Sequence, residues 1–206
     1  DTYPEDEYDC EGICADSDED EICDNVDDCV GVSSGGYDCG DLDIMKDFWN
    51  NNGYDCSGED CSNTLCDASD SDIVWEDGRL VEFKINYCGF DYFPENIGNL
   101  TNLTRIEFTG NTITTLPESI GNLSNLKRIY IQYPNVSLVS LPESIVNLSS
   151  LEELHITSHS QLESLPESIG NLTNLNTLSL WGNGLTSLPE SIVNLYLLQT
   201  LAVMNN

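Results

Sequence analysis

A five-residue motif that recurs at nearly constant spacing is the feature of this sequence that most constrains its fold. LPESI begins at Leu116, Leu141, Leu165 and Leu188, and the related FPENI begins at Phe93, so the interval is 23 to 25 residues. A fixed interval of this size indicates one short structural unit that is copied along the chain. The second half of the chain is therefore expected to form a stack of similar units.

The pattern within one unit, LxxLxLxxNxLxxLPxxIxxL, predicts its local structure. Two leucines that lie two residues apart face the same side of a short strand. The asparagine that follows, such as Asn111 or Asn183, is placed where its amide can pair backbone groups inside a bend. The LP step turns the chain back, and ESIGNL gives a short turn of α- or 3₁₀-helix. The units begin at Leu80, Leu103, Leu126, Leu151, Leu175 and Leu198.

This unit resembles the leucine-rich repeat of the 23-residue SLPESIGNLxNL type. The resemblance implies an α/β solenoid, a horseshoe or arc with a parallel sheet on its concave side, over residues 80–206, with five full repeats and one partial repeat. Two repeats depart from the pattern, because the asparagine position holds Pro134 and His159. We expect Asn135 or Ser160 to take over at those bends, with a bulge on the rim.

The segment before the repeats, residues 41–79, is interpreted as an N-terminal cap. Asp41 is a plausible N-cap residue, and the apolar residues after it fall on one helical face. A helix, a cysteine pair, a tryptophan and GRLVEF follow in an order that resembles the N-terminal cap of secreted, plant-type leucine-rich-repeat proteins. The resemblance implies a lid over the first repeat. The apolar helical positions are Leu42, Met45, Phe48 and Trp49, and the residues to be covered are Leu80, Phe83 and Ile85.

Charge and cysteine content separate the first part of the chain from the rest. The net charge is −31, of which −25 falls in residues 1–78, so we expect repulsion of nucleic acid and attraction of cations. Nine cysteines in an acid-rich region favour a disulfide framework, and hence an extracellular protein. The odd number leaves one thiol free or paired elsewhere, and the start at Asp1 fits a removed signal peptide. The disulfide candidates are Cys10, Cys14, Cys23, Cys29, Cys39, Cys56, Cys61, Cys66 and Cys88.

The acidic stretch DSDEDEICDNVDDC predicts a calcium site within residues 1–40. Counted from Asp16, aspartates occupy positions 1, 3, 5, 9 and 12, which suits a cation that takes six to eight oxygen ligands. The stretch resembles a thrombospondin type 3 repeat, with Glu21 where glycine is usual, and a solvated acidic arm is the alternative. The resemblance implies as ligands Asp16, Asp18, Asp20, the Ile22 carbonyl, Asp27 and, through water, Asp24.

The sequence favours binding over catalysis. It contains no nucleophile motif, phosphate loop or zinc motif, and no apolar run of about 18 residues that spans a membrane. Outward positions of successive strands instead form two columns, one from Lys84 to Ala202 and one from Asn86 to Met204, and these mix aromatic and basic side chains, which are frequent in binding hot spots. The alternative is an ordinary solvated sheet face. The candidate binding residues are Arg105, Lys127, Arg128, Tyr130, Gln132, Tyr133, His155 and Trp181.

Six Asn-x-Ser/Thr sequons make this a candidate glycoprotein. They are Asn99, Asn102, Asn122, Asn135, Asn147 and Asn171. Four of them recur once per repeat, so glycans there would form a stripe along one flank.

Taken together, these features predict an extracellular, calcium-binding interaction or adhesion module. It would bind an acidic protein or a glycan on the concave face, with Ca²⁺ as its cofactor. The alternative is a structural subunit of an extracellular filament or matrix. Such a subunit would assemble head-to-tail through its acidic N-terminal region and the open last repeat.

Overall fold

The computed structural model describes residues 8–9, 14–15, 38–53, 72–134 and 138–206. Two short strands, β1 (Tyr8–Asp9) and β2 (Cys14–Ala15), pair antiparallel, and one helix, α1, spans Cys39–Asn51. The remaining strands form one seven-stranded sheet in chain order. They are β3 (Asp72–Glu76), β4 (Arg79–Asn86), β5 (Arg105–Thr109), β6 (Arg128–Gln132), β7 (Glu153–Thr157), β8 (Thr177–Ser179) and β9 (Thr200–Ala202).

The sheet is parallel from β4 to β9, as the repeat predicts. The strand β3, which the repeat pattern does not predict, adds to its edge antiparallel to β4. A two-residue turn joins them at Asp77 and Gly78, which both have positive φ angles, of 50° and 74°. Asp-Gly is the sequence that this kind of hairpin turn favours, because glycine adopts positive φ without strain.

Each repeat returns through a 3₁₀ turn on the opposite side from the sheet. These turns span Ile97–Asn99, Glu118–Asn122, Glu143–Asn147, Ile169–Asn171 and Glu190–Asn194. The apolar positions of strands β4 to β8 and the isoleucines of the first four turns, such as Ile106 and Ile120, are buried in one continuous core. No unit could bury this apolar surface alone, so stacking is what stabilises each repeat.

Polar side chains at the bends form hydrogen bonds with backbone N–H and C=O groups of the preceding repeat. Asn111 accepts from the N–H groups of Cys88 and Phe90, and donates to the Ile85 carbonyl at 2.7 Å. Asn183 likewise accepts from the His159 N–H and donates to the Ile156 carbonyl.

The expectation that Ser160 replaces asparagine in the fourth repeat is wrong. His159 itself is fully buried, and its Nδ1 accepts from the Leu138 N–H at 2.9 Å. Its Nε2 lies 3.0 Å from the Ile131 carbonyl and donates to it, because Nδ1 is the acceptor of a neutral ring. Ser160 is exposed. Asn135 lies outside the described residues.

Helix α1 covers the first repeat, although it starts earlier than predicted. Asp38, not Asp41, is its N-cap, and the Asp38 carboxylate accepts from the Asp41 N–H at 3.1 Å. The predicted apolar face is buried, and Phe48 contacts Phe83 edge-to-face at 4.9 Å. Asp41 is instead a buried carboxylate that the Arg79 guanidinium pairs in a fork, at 2.8 and 3.0 Å.

The concave face as a candidate interaction site

The parallel register places outward side chains in columns across the concave face. Alternation along each strand points every second residue away from the core. The two predicted columns are confirmed in the strands, and a third column runs beside them. In order across the sheet they are Lys84, Glu107, Tyr130, His155, Ser179 and Ala202; Asn86, Thr109, Gln132 and Thr157; and Glu82, Arg105, Arg128, Glu153, Thr177 and Thr200.

Every cation in these columns is paired with a carboxylate of the same face. Lys84 pairs with Glu82 at 3.2 Å, Arg105 pairs with Glu107, and Arg128 pairs with Glu153 at 3.2 Å. The pairs leave the face neutral in a chain whose net charge is −31. The charge of this face therefore adds no support to the prediction of an acidic partner.

Tyr130 and Glu153 form the centre of the face. The Tyr130 hydroxyl donates to the Glu153 carboxylate, which also accepts from the Arg128 Nε. Burial, reinforced by this hydrogen bond and charge, raises the pKa of Tyr130 to about 12. The Tyr130 hydroxyl and then Arg128 lower the pKa of Glu153. The pair therefore keeps its protonated hydroxyl and its ionised carboxylate over the ordinary pH range.

Aromatic stacking continues from Tyr130 onto the next strand. The His155 ring stacks on Tyr130 with centroids 4.6 Å apart and planes 27° apart. The Arg105 guanidinium lies over the Tyr130 ring, 5.0 Å from its centroid. Burial lowers the pKa of His155 despite the nearby Glu153 carboxylate, so its imidazole is neutral at pH 7. The three planar groups come from three successive strands, which fixes their order.

The residue just beyond each strand adopts a left-handed backbone. The φ angle is positive at Gly110 and Gly182, where glycine accommodates it, but also at Tyr87 (58°) and Tyr133 (47°). This backbone conformation is strained for tyrosine. Both side chains project from the rim, where Tyr87 is 64% exposed and Tyr133 is 56% exposed. The same positive φ recurs at Ser158 and Asn205, so it belongs to the bend of the repeat, and it is the exposed tyrosine rings that extend the candidate surface along this rim.

The other predicted site residues differ in how close they come to this cluster. Gln132 and Trp181 lie at equivalent places in their repeats, and Trp181 is 37% exposed. Lys127 precedes strand β6, is exposed, and joins none of the ion pairs seen among the described residues. The structure thus brings Arg105, Arg128, Tyr130 and His155 together, but not Lys127.

Sequence reasoning missed the carboxylates that neutralise the face. Glu82 and Glu153 belong to the column that starts two residues into each repeat, whereas the predicted columns start four and six residues in. The signal was present in the sequence, because this column places the acids Glu82 and Glu153 on either side of the bases Arg105 and Arg128 on neighbouring strands.

The predicted calcium ligands Asp16, Asp18, Asp20, Ile22, Asp24 and Asp27 lie outside the described residues. So do the side chains of eight of the nine cysteines. Cys88 is disulfide-bonded and packs partly buried against the core. Among the sequons, Asn135 lies outside the described residues and the other five are exposed. Within the described ranges, no group of three or more His, Cys, Asp or Glu is arranged to hold a metal ion.

Comparison with protein families agrees with the solenoid. Residues 66–164 match the family model described as Leucine-rich repeat region, and residues 174–195 match the model Leucine Rich Repeat. The chain is a leucine-rich-repeat protein. No curated protein matches its sequence. No helix in the described part of this leucine-rich-repeat protein is both long and apolar enough to cross a membrane.

Solved structures of leucine-rich-repeat proteins share its fold. The leucine-rich-repeat ectodomain of the Arabidopsis thaliana receptor kinase SOBIR1 matches 83% of this chain over 95% of its own length. The two sequences are 20% identical, and the TM-score is 0.61. A Leptospira interrogans leucine-rich-repeat protein is 32% identical over 59% of this chain and 30% of its own, with a TM-score of 0.53.

A third similar structure is the ectodomain of the Arabidopsis thaliana receptor kinase GASSHO1/SCHENGEN3 in complex with Casparian strip integrity factor 2. It is 27% identical over 63% of this chain and 16% of its own, with a TM-score of 0.51. The chain thus spans less than a third of the length of the Leptospira protein and of this receptor ectodomain.

Proposed function

We propose that this protein is an extracellular, non-enzymatic recognition module that binds a protein partner on its concave face. The observation that carries the proposal is the neutral cluster around Tyr130 and Glu153. It combines part-buried ion pairs with aromatic groups on adjacent rigid strands. Prearranged aromatic and arginine side chains are typical of binding hot spots. The receptor GASSHO1/SCHENGEN3, which has this fold, was solved in complex with a factor.

A displayed peptide library tests this proposal. Phage that carry random peptides are selected on the immobilised chain, and the affinity of recovered peptides is measured for variants. Tyr130→Ala removes the central ring, so we expect binding to weaken about tenfold or more. Glu163→Ala, an exposed residue away from the strands, is the matched control and should bind as the parent does. Peptides that bind Tyr130→Ala and the parent equally would place recognition elsewhere.

Calcium binding by residues 1–40 remains part of the proposal and is supported by the aspartate spacing. Bound ions would stabilise whatever conformation holds them. Isothermal titration with CaCl₂ tests it directly, with the variant Asp16→Asn/Asp18→Asn/Asp20→Asn as the comparison. Heat release in the parent and none in the variant is the expected result. An absence of heat at millimolar calcium would leave the solvated acidic arm as the interpretation.

The cysteine framework would hold the same region in the oxidising extracellular medium.

One observation favours self-association as a second function. Apolar side chains are exposed at the end of the fifth repeat and in the partial sixth repeat, namely Val193, Tyr196, Leu197 and Leu201. Exposed apolar groups of this kind often mark contacts between proteins. Light scattering in millimolar calcium and then in excess EDTA tests the filament subunit. A large assembly that dissociates in EDTA supports it, and a monomer in both buffers excludes it.

A further inference from the structure

The planar stack on the concave face is open at one end. It runs from the Arg105 guanidinium through Tyr130 to the His155 ring, across strands β5, β6 and β7. The spacing of the two rings, 4.6 Å, matches the distance of about 4.8 Å between neighbouring strands. Each strand therefore contributes one layer of the stack, and the next layer falls above strand β8.

Strand β8 places only a small residue at that layer. Ser179 is in register with His155, and Ala202 of strand β9 is in register with Ser179. The column that begins at Glu82 also has small side chains here, namely Thr177 and Thr200. From this register we infer a shallow notch beside the outer face of the His155 ring, with small side chains on strands β8 and β9 as its floor and the exposed Trp181 at the next outward position.

The notch suits an uncharged planar group. Its floor residues carry no charge, and the three nearby cations are already paired with carboxylates. His155 presents a neutral ring, whose buried Nε2 lies 3.7 Å from the Glu153 carboxylate. Aromatic rings stack on one another at centroid distances of 4.5 to 7 Å, a range that includes the strand spacing. An aliphatic side chain would fit the space but would gain nothing from the ring face.

We propose that the protein partner anchors on this face through an aromatic side chain placed above Ser179, as the next layer of the Arg105–Tyr130–His155 stack. This inference rests on the proposed function and names the residue type that the partner supplies. The chain's charge of −31 repels acidic segments, so the aromatic residue belongs to a neutral or basic segment.

Nuclear magnetic resonance of the histidine rings tests the anchor. The chain is labelled with ¹³C-histidine and titrated with Ac-Lys-Gly-Trp-Gly-Lys-NH₂ or with the same peptide that carries leucine. We expect the tryptophan peptide to shift the His155 ring protons upfield, and the leucine peptide to bind about threefold to tenfold more weakly. His159 is buried on the core side and serves as the internal control.

Variants at Ser179 fill the notch from within. Ser179→Tyr should complete the stack. The His155 ring protons of this variant should therefore already be shifted upfield without peptide, and adding the tryptophan peptide should shift them no further. Ser179→Leu blocks the space without a ring, and it replaces Ser179→Tyr should that variant fail to fold. Ser179→Ala is the control and should respond as the parent does.

Three results would overturn the anchor. They are equal responses to tryptophan and leucine peptides, no His155 shift up to about 10 mM peptide, and a stronger shift with chitotriose, which would indicate a glycan. The proposed function is judged separately, by the library-selected peptides. Peptides that lose affinity for Tyr130→Ala but keep it for Ser179→Tyr would leave the protein-binding face intact and refute only the anchor.

Discussion

The imidazole of His159 accepts a hydrogen bond from the Leu138 N–H and so takes the place that asparagine holds in neighbouring repeats. Asn111 and Asn183 make the equivalent contacts with amide groups that do not titrate. The substitution keeps the geometry of the bend but adds a dependence on pH, because a protonated Nδ1 donates and no longer accepts.

We therefore expect stability to fall as the pH drops below about 6.5. Burial lowers the pKa of His159 in the fold below its ordinary value of 6.5, so the unfolded chain takes up the proton first. Urea unfolding at pH 7.5 and 5.5 measures the difference. His159→Asn should reduce the loss of unfolding free energy between pH 7.5 and pH 5.5. The part of this loss that remains should come from His155, whose pKa is also lowered. An unchanged pH dependence in His159→Asn would contradict this account.

Tyr133→Gly should stabilise the protein by about 1 kcal/mol, because it removes the strain of a positive φ angle. Tyr133→Ala is the matched control, since it removes the ring but keeps the Cβ atom that causes the strain. The measurement is the free energy of unfolding in urea. Equal stability of the glycine and alanine variants would show that the backbone at this rim position carries no strain.

Arg79→Met should cost about 3 kcal/mol, because it leaves the buried Asp41 carboxylate without its partner. The Arg79 side chain is 29% exposed, so solvent limits the loss. Asp41→Asn/Arg79→Met should recover part of it. Lys84→Met, which leaves the 30% exposed carboxylate of Glu82 instead of a buried one, should cost less than 1 kcal/mol. Thermal unfolding of the parent and the three variants measures these stabilities. Equal losses of stability in Arg79→Met and Lys84→Met would refute the role of the buried pair.

Gly121→Ala should destabilise by about 1–3 kcal/mol, because the added Cβ would lie 2.4 Å from the Ser144 carbonyl oxygen of the next repeat. Val193 occupies the equivalent position in the last described repeat and is 74% exposed. Val193→Ala should therefore change the free energy of unfolding by less than about 0.5 kcal/mol. Similar effects of both substitutions would mean that the repeats separate easily on this side.

The repeat pattern predicts the strands, their register and the core, because one spacing dictates which residues every unit buries. It could not predict strand β3, since residues 72–76 lie before the first repeat and pair with it only through a hairpin. Nor could it predict that His159 would act as an asparagine. That role depends on two ring nitrogens that happen to span the distance between the Leu138 N–H and the Ile131 carbonyl.

The pairing of charges on the concave face also decides where the protein can work. A surface that attracts its partner by unpaired charge loses that attraction when salt screens it, over about 8 Å at physiological ionic strength. Here Arg105 and Arg128 already hold their carboxylates, so added salt has little attraction left to remove. The contacts on the concave face itself, through stacked rings and hydrogen bonds, should therefore depend little on salt, whereas the approach of a basic segment to this acidic chain should slow as the salt concentration rises.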